Sequence, residues 1–202
     1  AMGGDEAFTA GTTSIQAVDA EGWVVSVTPS GGWIPAFVAG STGVGLSQRM
    51  QSFVLTDAMN PFNVLQPGQR PRATLTPSIA IKDNKPVMAF SVQGGDTQDQ
   101  NLLQFFLNVV EFGMNVQQAA EAHNITSFQM QSSFGAHKSE PGRLQLTHRV
   151  SPWVRAELAK MGYTVETVDR TYSPITAIYI DRENGTLWGG ASDYGEDYGI
   201  AW

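Results

Sequence analysis

Short stretches of alternating apolar and polar residues open the chain beyond residue 12, each bounded by residues that favour turns. Thr13 to Asp19 and Trp23 to Thr28 read as two β-strands joined by Asp19-Ala20-Glu21-Gly22, a hairpin signal. Pro29-Ser30-Gly31-Gly32 stops the second strand. Residues 33–70 crowd Gly, Pro, Ser and Asn between brief apolar clusters, which predicts loops and short strands. Leu75 to Ile81 and Pro86 to Val92 flank the polar turn Lys82-Asp83-Asn84-Lys85 and predict a second hairpin.

After Gln93-Gly94-Gly95-Asp96 the period changes. Leu102, Leu103, Phe106, Leu107, Val109 and Val110 recur at helical spacing, with Gly113 placed as a C-terminal stop. Asn115 stands where it can cap a second helix to about Ala122. A third helix is signalled by Ser151 as cap, Pro152 at the first position, Val154, Leu158 and Met161 on one face, and Gly162 beyond. Thr164 to Val168, Ile175 to Ile180 and Thr186 to Trp188 return to strands, with Asn184-Gly185 as a hairpin turn. Residues 123–150 lack periodicity and predict a surface excursion. Strands, then helices, then strands make the fold class α+β with mainly antiparallel sheets.

Composition removes several classes of function. The 202 residues suffice for one domain with a sizeable core. A formal net charge of −7 with scattered Lys and Arg argues against a nucleic-acid surface. No apolar run approaches the roughly 18 residues of a membrane-spanning helix. The absence of cysteine excludes thiol nucleophiles, disulfides and Cys-ligated metals. His123, His137 and His148 form no HExxH and no pair at helical spacing, so neither a zinc centre nor another cofactor is expected. Residues 1–11 are small, polar and aperiodic, which reads as linker. Ala1 to Glu6 lacks the basic and apolar regions of a signal peptide and suits an interior cut of a longer precursor.

Gly11-Thr12-Thr13 alone is weak, because Thr pairs are common in strands. A threonine at a freed N-terminus, however, is a complete small machine. Its hydroxyl attacks a carbonyl and its own α-amine takes the proton. An α-amine titrates near about 8, close to what a general base at neutral pH requires. The same hydroxyl could first attack the Gly11 carbonyl, with glycine leaving room for it. Downstream, Gly94-Gly95 lies between a buried strand and a helix start, where two consecutive unobstructed N–H groups suit an oxyanion hole. The bland alternative for this pair is a tight strand-to-helix turn.

The order of these motifs resembles the γ-glutamyltranspeptidase family. Thr12-Thr13-Ser14 with Val18-Asp19, Glu21-Gly22 and Val24-Val25-Ser26-Val27-Thr28 looks like the start of its small subunit. Gln69-Arg70-Pro71-Arg72 and Leu75-Thr76-Pro77-Ser78 resemble its basic-Arg-Pro segment and the core strand after it. Gln93-Gly94-Gly95-Asp96, Glu111-Phe112-Gly113-Met114-Asn115 and Gly190-Ala191-Ser192-Asp193 match later motifs. The resemblance implies an N-terminal-nucleophile hydrolase with a four-layer αββα sandwich, of which this chain supplies part. It assigns residues 1–11 to a precursor linker or the end of a large subunit, and 12–202 to the catalytic small subunit. Cleavage would fall between Gly11 and Thr12, turning a zymogen into a heterodimer with the large N-terminal subunit, alone or as a dimer of heterodimers. Thr12 would be nucleophile and base, Ser30 the hydroxyl that hydrogen-bonds it, and Gly94 and Gly95 the oxyanion donors. A small amide substrate and an exported bacterial enzyme are implied as well.

The departures from the family pattern concern the substrate. Where the family binds an α-amino acid, this chain has Gly32, Arg49 and Ser52 around Met50, and the α-carboxylate serine pair becomes Ala73-Thr74. An Arg repels an ammonium and favours a carboxylate. The expected acyl donor is therefore less an ordinary γ-glutamyl group than a glutaryl-like or other dicarboxylic monoamide. Trp33, Phe37, Phe53 and Phe62 read as local core rather than acyl pocket. Asp193, Glu196 and Asp197 read as acidic surface without the spacing of a calcium loop. A noncatalytic binding or structural subunit of the same family is the competing expectation.

Overall fold

The computed structural model describes residues 12–30, 37–171, 174–193 and 197–201. In chain order the elements are β1 (Ile15–Val18), β2 (Val24–Val27), a 3-10 turn (Arg49–Ser52), β3 (Ser78–Lys82) and β4 (Lys85–Val92). There follow α1 (Gln98–Val110), α2 (Val116–Glu121), β5 (Ile125–Ser127), β6 (Arg143–Thr147), α3 (Pro152–Lys160), β7 (Thr164–Val168), β8 (Ile175–Asp181) and β9 (Thr186–Ala191).

The central sheet has the order β3-β4-β8-β9 and is antiparallel throughout. Asp83 and Asn84, at φ of 51° and 60°, make the tight turn between β3 and β4. Period-two alternation divides β4 between two faces. Met88, Phe90 and Val92 join Ile175 and Ala177 of β8 on one face and pack against Leu102 and Phe105 of α1 and Val116, Ala119 and Ala120 of α2. Ala89 and Ser91 point the other way and are equally buried, because the β1–β2 hairpin lies across that face. Helices, sheet and second sheet are thus three layers of an α+β sandwich.

The hairpin is inverted in polarity. Gln16 and Ser26 turn inward with Val18 and Val24, whereas Ile15, Ala17, Val25 and Val27 are exposed on the outer face. Its inner face is fastened by hydrogen bonds. Gln16 Nε2 donates to Ser91 Oγ at 2.6 Å, and Ser26 Oγ donates to the Phe90 carbonyl at 3.3 Å while accepting from the Ser78 amide at 3.1 Å. Thr176 gives its hydroxyl proton to Gln16 and so accepts one from Ser14 at 3.0 Å.

Residues 123–150, expected as an excursion, contain β5 and β6. With β7 they form a second three-stranded sheet, in which β6 and β7 are parallel and joined through α3. The pattern was silent because β5 has three residues and finds its edge partners on a helix. Gln100 and Gln104 of α1 pair with the Ser127 and Ile125 backbone, each glutamine both donating and accepting at 2.7–3.1 Å. Two side-chain amides one turn apart therefore act as a short strand. Gln117 does the same at the β9 edge, bonding both the amide and the carbonyl of Ala191.

Helix boundaries follow the sequence signals. Asn115 and Gln118 form a capping box, whereas Ser151 occupies the cap position of α3 without its side chain bonding the helix. Met161, expected on the packed face of α3, is 70 % exposed. Gly190 decides how closely α2 approaches the sheet. A Cβ there would lie 2.8–2.9 Å from backbone atoms of Val116 and Gln117, whereas Gly189 faces open space. Gly190→Ala is expected to cost about 1–3 kcal/mol, and Asn115→Ala about 1 kcal/mol. Chemical denaturation of the full-length protein checks both, with Gly189→Ala as the near-neutral control.

Candidate active site

Thr12 and Ser30 stand opposite each other in an isolated antiparallel bridge just beyond the open end of the hairpin. The Thr12 hydroxyl donates to Ser30 Oγ at 3.0 Å, and the next residue closes the bridge from its amide to the Pro29 carbonyl at 3.2 Å. The hairpin folds this way because Asp19 accepts from the Trp23 amide at 2.8 Å and closes the far turn. Register then carries the two hydroxyls together. Ser14 and Gln16, two and four residues past Thr12, hold to Thr176 and Ser91, which face each other in the central sheet. Ser91 is one residue from the end of β4, where the chain runs out toward Gly94-Gly95. Thr12 is thereby anchored to the central sheet.

That loop has the conformation only glycine adopts readily. Gly94 has φ 126° and Gly95 φ 58°, and a Cβ on Gly95 would come within 3.0 Å of the Phe134 ring. The Gly94 carbonyl is occupied, accepting from the Thr97 amide at 3.1 Å and its hydroxyl at 2.9 Å. Among the described residues neither the Gly94 nor the Gly95 N–H has an intramolecular acceptor, so both are available to an oxyanion. Asp96 anchors the loop, accepting from the Ser133 amide at 2.7 Å and the Ser133 hydroxyl at 2.6 Å. Arg72 approaches the same carboxylate at 3.8 Å.

Arg49 and Thr74 meet. Arg49 Nη1 donates to Thr74 Oγ1 at 2.9 Å, while its buried Nε has no acceptor. Burial disfavours the charged form and holds the Arg49 pKa below the ordinary arginine value, with the charge of Asp96 opposing. Among the described residues Arg49 forms no ion pair within 4.0 Å. A desolvated guanidinium with unused donors is a receptor for a planar anion.

The other candidate residues divide. Ser52 is buried and its hydroxyl faces the carbonyls of Arg49 and Arg72, at 2.8 and 2.9 Å, fastening the 3-10 turn rather than facing a pocket. Ala73 is exposed and Thr74 buried. Gly11, Gly32, Trp33 and Glu196 lie outside the described residues. Phe53 is core as expected, but Phe37 and Phe62 are exposed by 73 % and 89 %, because residues 37–65 carry no sheet to pack them against. Asp197 accepts from Ser192 at 3.0 Å, and its burial raises the carboxyl above the usual range, unlike an acid on open surface.

Sequence reading missed the seam residues Ser14, Gln16, Ser91 and Thr176, and Ser133 and Phe134 behind the loop. A signal for Ser91 existed: it is the polar position in an otherwise apolar strand, and such a residue needs a buried partner. Nothing local announces Ser133 or Phe134, which reach the loop from 37 residues away in sequence.

Similar proteins converge on one family. The gamma-glutamyltranspeptidase family model matches residues 4–201. The glutathione hydrolase proenzyme of Bacillus subtilis (strain 168) is 30% identical over 185 residues, covering 88% of this chain and 28% of the relative. The chain therefore spans between a quarter and a third of that relative's length. Gamma-glutamyltranspeptidase from Pseudomonas nitroreducens, solved with L-DON, superposes with a TM-score of 0.77 at 23% identity, over 95% of this chain and 100% of the solved one. Cephalosporin acylase from Bacillus halodurans gives 0.71 at 25% identity, over 84% of this chain and 30% of that one. Together with the three-layer α+β sandwich, the match along nearly all of the sequence shows that this chain belongs to the γ-glutamyltranspeptidase family.

Proposed function

We propose that residues 12–202 are the catalytic subunit of an autoprocessed amide hydrolase or acyltransferase, with Thr12 as nucleophile and residues 1–11 left on the other side of the cut. The observation that carries this reading is the Thr12–Ser30 hydroxyl pair, tied to the central sheet through the half-buried hydrogen bonds of Ser14 and Gln16. Ser30 orients the Thr12 hydroxyl. Once freed, the α-amine of Thr12 takes the hydroxyl proton as Oγ bonds to the substrate carbonyl carbon. The carbonyl oxygen becomes an oxyanion donated to by Gly94 and Gly95. The C–N bond then breaks, the α-ammonium returns its proton to the departing amine, and the acyl group remains on Thr12 as an ester. Water or a second amine repeats the sequence in reverse and restores the threonine.

The acyl group we infer is a dicarboxylic monoamide such as glutaryl, its free carboxylate meeting Arg49 and the Thr74 hydroxyl. Arg49 in place of an ammonium-binding group supports this, as does Ser52, whose hydroxyl is already engaged by the backbone. The acylase name of one structural neighbour is in keeping with such a donor. Buried engagement of Ser52 also suits the competing reading of a noncatalytic subunit, which differs in predicting an uncleaved chain.

We further infer the large subunit from the same precursor as partner. The exposed apolar outer face of the β1–β2 hairpin, Ile15, Val25 and Val27, needs a fourth layer, and the relatives are named as proenzymes. No described helix is long and apolar enough to cross a membrane.

Intact mass spectrometry of the full-length precursor is expected to give two fragments divided at Gly11–Thr12, and one uncut chain for Thr12→Ala. A single unprocessed wild-type chain that leaves an amide panel untouched would establish the noncatalytic reading. In the processed enzyme kcat/KM should rise with pH through about 8, since the α-amine must be neutral to accept a proton. Glutaryl anilides should be cleaved faster than γ-glutamyl anilides, and Arg49→Leu should lower kcat/KM for glutaryl substrates about ten- to a hundredfold, as loss of a charged hydrogen bond implies. The opposite substrate order would falsify the acyl-group assignment.

A further inference from the structure

The Gly94-Gly95-Asp96 loop borders two regions. One leads through Asp96 to Arg72, Arg49 and Thr74. The other opens into a cleft of about 610 Å³ beneath the start of α1, walled by the β5–β6–β7 sheet and the segment between β5 and β6. Thr12, Arg49 and Thr74 do not line it. Gly94 and Gly95 do, and Phe128, Met130 and Phe134 give it apolar walls. Phe134 lies directly against Gly95.

Its charges differ in how far they are already committed. Arg143 lies 4.1 Å over the Phe128 ring and is bonded to Glu166 and Glu140 at 2.9 Å. Those bonds raise its pKa, and Glu140 is satisfied by them in turn. Asp96 is held by Ser133. Arg170, on the same wall, donates to the Asp193 carbonyl at 3.4 Å. Lys138 is left: it lines the cleft, exposed, and its ammonium has no partner among the described residues.

We propose that this cleft holds the amine half of the substrate, and that the amine is aromatic or otherwise apolar and bears a carboxylate that meets Lys138. The inference rests on the acyl-transfer reading above. An amide whose oxygen points at the Gly94 and Gly95 N–H groups must send its two substituents to opposite sides of that oxygen. The Arg49 flank takes the acyl half, which leaves the cleft for the amine. Aromatic walls suit a flat apolar body, and a cation at the rim without a carboxylate partner suits one negative charge.

The test uses the full-length processed protein and two glutaryl amides, of aniline and of 4-aminobenzoate. The carboxylate also changes the leaving group's intrinsic reactivity, so the quantity to read is the ratio of kcat/KM for the two, compared between wild type and Lys138 variants. Lys138→Gln should lower the 4-aminobenzoate preference about fivefold, and Lys138→Glu about tenfold or more. Phe134→Ala should slow both substrates. Ratios unchanged by either Lys138 variant overturn the proposal. If neither amide is cleaved, it is the acyl-transfer reading that fails, and binding of 4-aminobenzoate itself, followed by calorimetry, decides the cleft. Saturable binding that is lost in Lys138→Glu and kept in Arg49→Leu sustains the cleft; no saturable binding at millimolar concentration, as when the partner subunit fills it, removes it.

Discussion

The structure depends on a polar seam between two sheets. Ser14 and Gln16 of the hairpin, and Ser91 and Thr176 of the central sheet, are tied to one another at the place where a sandwich usually packs aliphatic side chains. Apolar contacts would hold the layers together about as well, but they tolerate sliding, since dispersion has little direction. Hydrogen bonds do not. Each of these groups is costly to bury without its partner, so the hairpin has essentially one position on the sheet. That position is what the candidate nucleophile requires, because Thr12 stands two residues beyond Ser14. Its bond to Ser30 then follows from the hairpin register.

The same economy of side-chain amides recurs at the sheet edges. Gln100 and Gln104 finish β5, and Gln117 finishes β9. A helix has no free backbone groups along its flank to give a neighbouring strand, so a glutamine supplies them. The effect is to lock α1 against β5 and α2 against β9. Since α1 follows the Gly94-Gly95 turn, the orientation of that turn is fixed from its helical side. Asp96 and Ser133 fix it from the other. The loop is therefore clamped on two sides while its N–H groups remain unoccupied, the preorganisation that electrostatic stabilisation needs.

The apolar outer face of the hairpin and the exposed Phe37 and Phe62 have a common cause. Both lie in the N-terminal part of the chain, outside the apolar cluster between the central sheet and the helices. An αββα sandwich completed by a second polypeptide would cover the hairpin face with its fourth layer. Taken alone, the hairpin turns its apolar residues outward, and the proposed fourth layer accounts for that polarity.

Much of this was legible in the residues. Period-two runs located β1, β2, β4, β7 and β8 within a few positions, and the Asn115 and Gly113 signals located the α1–α2 junction, because these elements are set by local backbone preference and a single buried face. Gly11-Thr12-Thr13 and Gly94-Gly95, each weak alone, were singled out only in each other's company and by their resemblance to the family's motifs. Tertiary structure decided what local preference does not encode. β5 has its edge completed by glutamines on α1, and Met161 is exposed because it caps a helix that itself has no buried residue. Ser52 turned to the backbone while Arg49 kept donors free, a difference of environment between residues three apart. The sequence by itself determined which residues could react, since reactivity belongs to the side chain and its immediate neighbours. Only the fold decided which of them meet, because the bonds that bring Thr12 to the sheet span from 75 to 162 residues of chain.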